Sequence, residues 1–115
     1  MSVLKIDSSA RLQDSNSRTI SHYLAEQLVE QLDTQVVNRD LVKQPLPLIS
    51  AVDMLNLHAS NDSDSETFQQ HLALSNTLIQ ELMDTDTLVL SAPMYNFGVP
   101  AVLKQWIDYV CRAGL

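Results

Sequence analysis

The chain has 115 residues, 45% of them hydrophobic, enough for one buried core and too few for two, so one compact domain is expected. A formal charge of -7 argues against a surface for nucleic acid or anionic membrane, since both need clustered Lys and Arg. Any phosphate bound here must therefore be held by local donors.

The single cysteine, Cys111, cannot close an internal disulfide, and the start MSVLKIDSS has neither a cationic leader nor a long apolar run. No apolar stretch approaches the roughly 18 residues a membrane span needs. A soluble protein of a reducing compartment, the cytoplasm, is the expectation.

SVLKID, residues 2–7, is a short apolar run that reads as a first strand, and the SSARLQDSNS that follows it, residues 8–17, has the Ser, Asn and Asp density of a turn. From Arg18 onward Ile20, Leu24, Leu28 and Leu32 recur every four residues with Tyr23 beside them, the pattern of an amphipathic helix. Ser15 or Ser17 can cap it by accepting from a first-turn amide. TQVVNRDL supplies a second strand centred on Val36 and Val37, which KQPLPLIS cannot prolong because Pro45 and Pro47 lack a ladder N–H. SAVDMLNLHASNDSDSE is polar and aperiodic, and reads as a mobile surface loop with one helical turn at most. Ser63 and Glu66 have capping-box spacing, and Phe68, Leu72, Ser75, Ile79 and Leu82 then mark one face of a long helix ending near Met83. DTLVLSAP is the third strand, and its unbroken Leu88-Val89-Leu90 predicts burial on both faces. Pro100 suits the first turn of a last helix whose apolar face is Val99, Leu103, Trp106, Ile107 and Val110.

Strand alternating with helix predicts a doubly wound α/β sheet with a parallel arrangement, in which ligands bind beyond the carboxyl ends of the strands where the strand order reverses. Two loops would meet there: SSARLQDSNS and APMYNFGVP, residues 92–100. The first lacks the glycines of a dinucleotide fingerprint or a P-loop. It offers hydroxyls instead, from Ser9, Ser15 and Ser17 with Asn16, around a helix N-terminus that favours an anion. The plainer alternative is that Ser15 and Ser17 only cap the helix and Ser9 only turns the chain. Arg11 and Arg18 either assist the anion or are solvated. In the second loop Met94, Tyr95 and Phe97 offer area to a flat, partly apolar ring and Asn96 can hydrogen-bond its heteroatoms; alternatively Tyr95 and Phe97 plug the sheet edge or meet a partner chain. Gly98 would allow the close turn into the helix.

APMYNFGVPAVLKQWIDYVCRAG, residues 92–114, closely resembles the flavin-loop region of the FMN-dependent NADH-azoreductases, which also act as NADH:quinone reductases. SSARLQDSNS resembles their phosphate loop, and NRDLVKQPLPLI and QQHLALSNTLIQELMDTDTLVLSAPMYNF match further segments of that family. The resemblance implies a flavodoxin-like three-layer α/β sandwich with a parallel sheet of order 2-1-3-4-5. It implies that Ser9, Ser15, Asn16 and Ser17 hold the FMN phosphate, with Asn16 where Gln is usual, and that Met94, Tyr95, Asn96 and Phe97 pack along the isoalloxazine and hydrogen-bond it. It further implies a homodimer with a shared site and a ping-pong cycle that takes a hydride from NADH and reduces a quinone or an azo bond. No side chain is then expected to act as a nucleophile. The family domain continues through two more strands and helices, including a Gly-rich loop that completes the flavin site, so residues 1–115 are expected to be the N-terminal portion of one domain, with its first three strands. A flavodoxin-like electron carrier or flavin-binding module without turnover would share the same loops and fold.

The other candidates carry less. His22, His58 and His71 stand at spacings unrelated to metal binding and read as surface or partly buried histidines. Asp84 and Asp86 precede a strand, far from the ligand end, and read as solvated turn residues. Cys111 reads as a small buried filler, Lys104 as helix surface and Trp106 as core.

Overall fold

The structure, a computed structural model, describes residues 2–11, 15–58, 65–94 and 98–112. Among them are three strands, β1 (Ser2–Asp7), β2 (Gln35–Asp40) and β3 (Thr87–Ser91), and four helices, α1 (Asn16–Leu32), α2 (Ala51–His58), α3 (Glu66–Met83) and α4 (Ala101–Val110). The strands form one sheet in the order β2-β1-β3 with both pairings parallel. That is the beginning of the expected 2-1-3-4-5 order.

Alternate residues of a strand point to opposite faces, and β1 uses both. Leu4 and Ile6 enter a core with Leu78 of α3 and with Leu103, Trp106 and Tyr109 of α4. Asp7 faces the other way, where its carboxylate accepts from Ser21 of α1 at 2.7 Å. The sheet is thus sandwiched between α1 on one face and α3 with α4 on the other. Asp33 caps the end of α1 in the left-handed region at φ 49°, turning the chain back into β2.

Several expectations need correction. The α1 stripe is rotated: Ser21 and Ala25 are the buried positions, while Ile20, at 66% exposure, Tyr23, Leu24 and Leu32 are exposed and Leu28 is half-buried. Small side chains let the helix axis come close to β1 and β3, which lifts the larger apolar groups onto its flanks. Residues 51–58 are a two-turn helix rather than a loop, because Leu57 is buried in the core and buried Asp53 accepts from Thr67 Oγ1 of α3 at 3.0 Å. The cap of α3 is Ser65, which accepts from the Phe68 amide; Ser63 lies outside the described residues. Its deepest residues are Phe68, Ser75 and Leu78, with Leu72, Ile79 and Leu82 half-buried.

β3 is buried on one face only: Val89 is covered, whereas Leu88 and Leu90 are 42% and 46% exposed. It borders β1 alone among the described strands. Pro100 occupies the cap position before α4, not its first turn, Val99 is exposed, and Tyr109 is the buried residue that the sequence pattern missed. The Tyr109 hydroxyl donates to the Pro47 carbonyl at 2.6 Å and meets His71 Nδ1 at 3.1 Å. Cys111 is exposed, not a core filler, because α4 ends at Val110. Trp106 is buried, and Lys104, Asp84 and Asp86 are exposed. His22 is exposed beside Glu26, and His58 Nε2 contacts the Asp108 carbonyl. No helix among the described residues is long and apolar enough to cross a membrane.

Candidate functional site

Asp7 ends β1 and Ser91 ends β3, and the two are register partners, so the loops leaving these strands start side by side. The Ser8 hydroxyl donates to the Ser91 carbonyl at 2.7 Å and ties the loops together. The first loop then runs to α1, whose N-cap is Ser15. Its Oγ accepts from the Arg18 amide at 3.3 Å and its carbonyl from the Thr19 amide at 3.1 Å.

An α-helix leaves its first four amides without intrahelical acceptors. With the Arg18 amide taken by Ser15, the amides of Asn16 and Ser17 remain as first-turn donors without a protein acceptor among the described residues. Around them Ser17 Oγ lies 3.2 Å from Ser15 Oγ, and Ser9 Oγ accepts from the Arg11 amide at 3.2 Å. Ser9, Arg11, Ser15, Asn16, Ser17 and Ile20 line a cavity of about 380 Å³ together with Pro93 from the second loop. Of these, Ser9 and Ser15 are buried and Arg11 is exposed. Hydroxyl donors, open amides and the positive end of a helix dipole are the groups that hold a phosphate monoester without a large net positive charge.

The four residues singled out in the first loop therefore meet in one cradle. Of the second loop, Met94 is 76% exposed and does not line it. Tyr95, Asn96 and Phe97 lie outside the described residues.

Beside the cradle two acidic residues end adjacent strands, Asp7 and Asp40, which are also register partners. Neither acts as a bare charge. Asp7 pairs with Lys5 Nζ at 3.0 Å in addition to accepting from Ser21. Asp40 Oδ1 accepts from the Val42 and Lys43 amides at 3.1 and 3.0 Å, and its carboxylate takes a two-point contact from the Arg18 guanidinium. Burial raises the Asp40 pKa, but the Arg18 hydrogen bonds, the Lys43 and Val42 amides and the Arg18 charge outweigh it, leaving the pKa at about 2 against an ordinary 3.8. A larger open cavity of about 750 Å³ runs between α1 and β2 past Lys5, Arg18, His22, Asp40 and Lys43. Most of its charges are matched in pairs, His22 with Glu26 at 3.0 Å among them. No group of three or more His, Cys, Asp or Glu among the described residues could hold a metal ion.

A parallel sheet of order 2-1-3, wrapped by helices on both faces and with its cradle at the strands' carboxyl ends, fits a family model described as a flavodoxin-like fold, which matches residues 1–115. The chain belongs to this flavodoxin-like family. Within it the chain is similar to the FMN-dependent NADH:quinone oxidoreductase 1 of Hahella chejuensis (strain KCTC 2396), 46% identical over 112 residues that cover 96% of this chain and 54% of that protein. Among solved structures, azoreductase AzrA superposes with a TM-score of 0.83 at 28% identity, covering 99% of this chain and 57% of that one. The azoreductase from Bacillus anthracis str. Sterne gives 0.81 at 25% identity over the same shares. The chain spans about half the length of the curated relatives it matches.

Sequence reading overlooked the partners of the flavodoxin-like cradle. Asp7 and Asp40 could have been found, because each closes a strand run with an acid, in SVLKID and QVVNRD. Pairing Arg18 with Asp40 needs the strand register, which no local signal carries.

Proposed function

We propose that this chain carries the phosphate-binding part of an FMN-dependent NADH:quinone oxidoreductase of the cytoplasm that also cleaves azo bonds and works as a homodimer. The observation that carries the reading is the cradle of Ser9, Ser15, Asn16 and Ser17 at the carboxyl end of a flavodoxin-like sheet. It fits the monoester of FMN by the chemistry of its donors, two open amides and three hydroxyls. The 46% identity to a protein named for FMN, NADH and quinone supports the reading.

In it Ser9, Ser15, Asn16 and Ser17 orient FMN through its phosphate, and Met94, Tyr95, Asn96 and Phe97 lie along the ring system and hydrogen-bond its heteroatoms. FMN, when bound, takes a hydride from NADH and returns two electrons to the acceptor. The protein binds donor and acceptor in turn at one place, so NAD leaves before the acceptor enters. A quinone takes two electrons and two protons to become a hydroquinone, and an azo bond takes two such deliveries to become two amines.

The full-length protein, loaded with FMN, should oxidise NADH in the presence of benzoquinone and give parallel double-reciprocal lines when both substrates are varied. A purified protein with no flavin absorbance after loading, or turnover no faster than free FMN, overturns the reading.

A further inference from the structure

Arg18 touches both ends of the cradle. Its backbone amide donates to Ser15 Oγ at 3.3 Å, while its Nη2 donates to the Ser9 carbonyl at 2.6 Å. The same guanidinium grips Asp40 at the end of β2, Nη1 on Oδ2 and Nη2 on Oδ1 at 3.2 Å. Asp40 is in turn fixed by the Val42 and Lys43 amides.

We propose that Arg18, braced by Asp40, is a positioning residue that sets the spacing of Ser9 and Ser15 for a bound phosphate, without itself touching that phosphate. The inference rests on the phosphate reading of the cradle given above. Three features carry it. Nη1 and Nη2 are committed to Asp40 and the Ser9 carbonyl, and a guanidinium presents its donors in a rigid fork, so it cannot turn to an anion without releasing them. Arg18 lines the large cavity between α1 and β2, whereas it is not part of the cradle wall. Its positive charge is matched by a carboxylate at contact distance, which removes most of its long-range pull on an anion. Because a peptide is planar, holding the Ser9 carbonyl also fixes the direction of the next amide.

The test compares FMN with riboflavin, which lacks only the phosphate, by fluorescence titration of the full-length protein and of Arg18→Met, Arg18→Lys and Asp40→Asn. Far-UV circular dichroism and denaturant midpoints identify any variant that has lost the fold. Arg18→Met and Asp40→Asn should each weaken FMN about tenfold, the loss expected when one charge-assisted hydrogen bond goes, with riboflavin affinity nearly unchanged. Arg18→Lys should also weaken FMN, since an ammonium cannot span Asp40 and the Ser9 carbonyl. Asp40→Asn is decisive: were Arg18 a direct phosphate ligand, neutralising Asp40 would free it and FMN would bind as well or better, which overturns the proposal. Equal losses of FMN and riboflavin in folded variants overturn it too. Wild-type protein that binds both flavins equally overturns the phosphate reading itself, a result that involves no variant and so stands apart from failure of the inference.

Discussion

Arg18 and Asp40 form a two-point ion pair that joins the first turn of α1 to the carboxyl end of β2. The pair is largely buried, with side-chain exposures of 14% and 17%, and Arg18 bridges onward to the Ser9 carbonyl. It therefore couples the stability of the fold to the shape of the cradle.

Acid should reveal that coupling. Asp40 titrates at about 2 in the folded chain against 3.8 in its ordinary state. A carboxyl whose folded pKa is depressed contributes stability that is fully present above its unfolded pKa and is lost as the pH falls through its folded pKa. The contribution is about 2 kcal/mol at neutral pH, draining away between about pH 4 and pH 2. Urea midpoints taken from about pH 5 downward should fall more steeply for wild type than for Asp40→Asn in that window. Parallel curves would mean that Asp40 is not held by Arg18 in solution.

Ser15 and Ser17 should separate cleanly. Ser15 is the cap, so Ser15→Ala should lower stability by about 1 kcal/mol, along with any effect on FMN. Among the described residues the Ser17 hydroxyl is hydrogen-bonded only to that of Ser15, so Ser17→Ala should leave the urea midpoint nearly unchanged and weaken FMN. The reverse pattern, a destabilised Ser17→Ala with unaltered FMN affinity, would return both serines to mere capping.

The close seat of α1 gives a third test. Ala25 and Ser21 are its buried positions, and Ser21 Oγ donates to Asp7 at 2.7 Å. Ala25→Leu should force the helix off β1 and β3 at a cost of about 1–3 kcal/mol, read as a lowered thermal midpoint. A neutral Ala25→Leu would point back to the stripe of Ile20, Leu24, Leu28 and Leu32 as the packing face.

That stripe shows what could be read in the chain and what could not. The alternation of strand and helix, the parallel doubly wound sheet and the gathering of Ser9, Ser15, Asn16 and Ser17 follow from alternating periods and local turn chemistry, which neighbouring residues carry, whereas the 2-1-3 strand order came from the family resemblance. The face of α1 does not, because apolar period records size, while a helix lying close to a sheet buries its small residues. Nor does α2: what holds it is Asp53 meeting Thr67, fourteen positions along the chain, and a polar stretch gives no hint of a buried carboxylate with a distant donor. Arg18 could be read as an anion ligand or a solvated cation. Neither reading included its partner, Asp40, which stands 22 positions away on the edge strand. The unbroken Leu88-Val89-Leu90 run signalled a strand but could not say which neighbours cover it.

The last expectation follows from that run. Among the described residues β3 pairs only with β1, leaving its outer backbone edge open. Leu88 and Leu90 are exposed there, and Ile20 and Leu24 of α1 share a cavity of about 240 Å³ with Val89 and Leu90 beside the same edge. The opposite edge, β2, is different: it carries Asn38, Arg39 and Asp40, with Arg39 gripped by Glu81 of α3. Open edges pair with other chains when they are apolar and are blunted when they carry charge. A polypeptide of residues 1–115 alone should therefore self-associate through β3 and not through β2. Light scattering over a concentration series should show mass rising with concentration, and Leu90→Lys should suppress the rise while an added charge at Val37 on β2 should not. A monodisperse monomer at every concentration would mean that the β3 edge is covered in solution by part of the same chain.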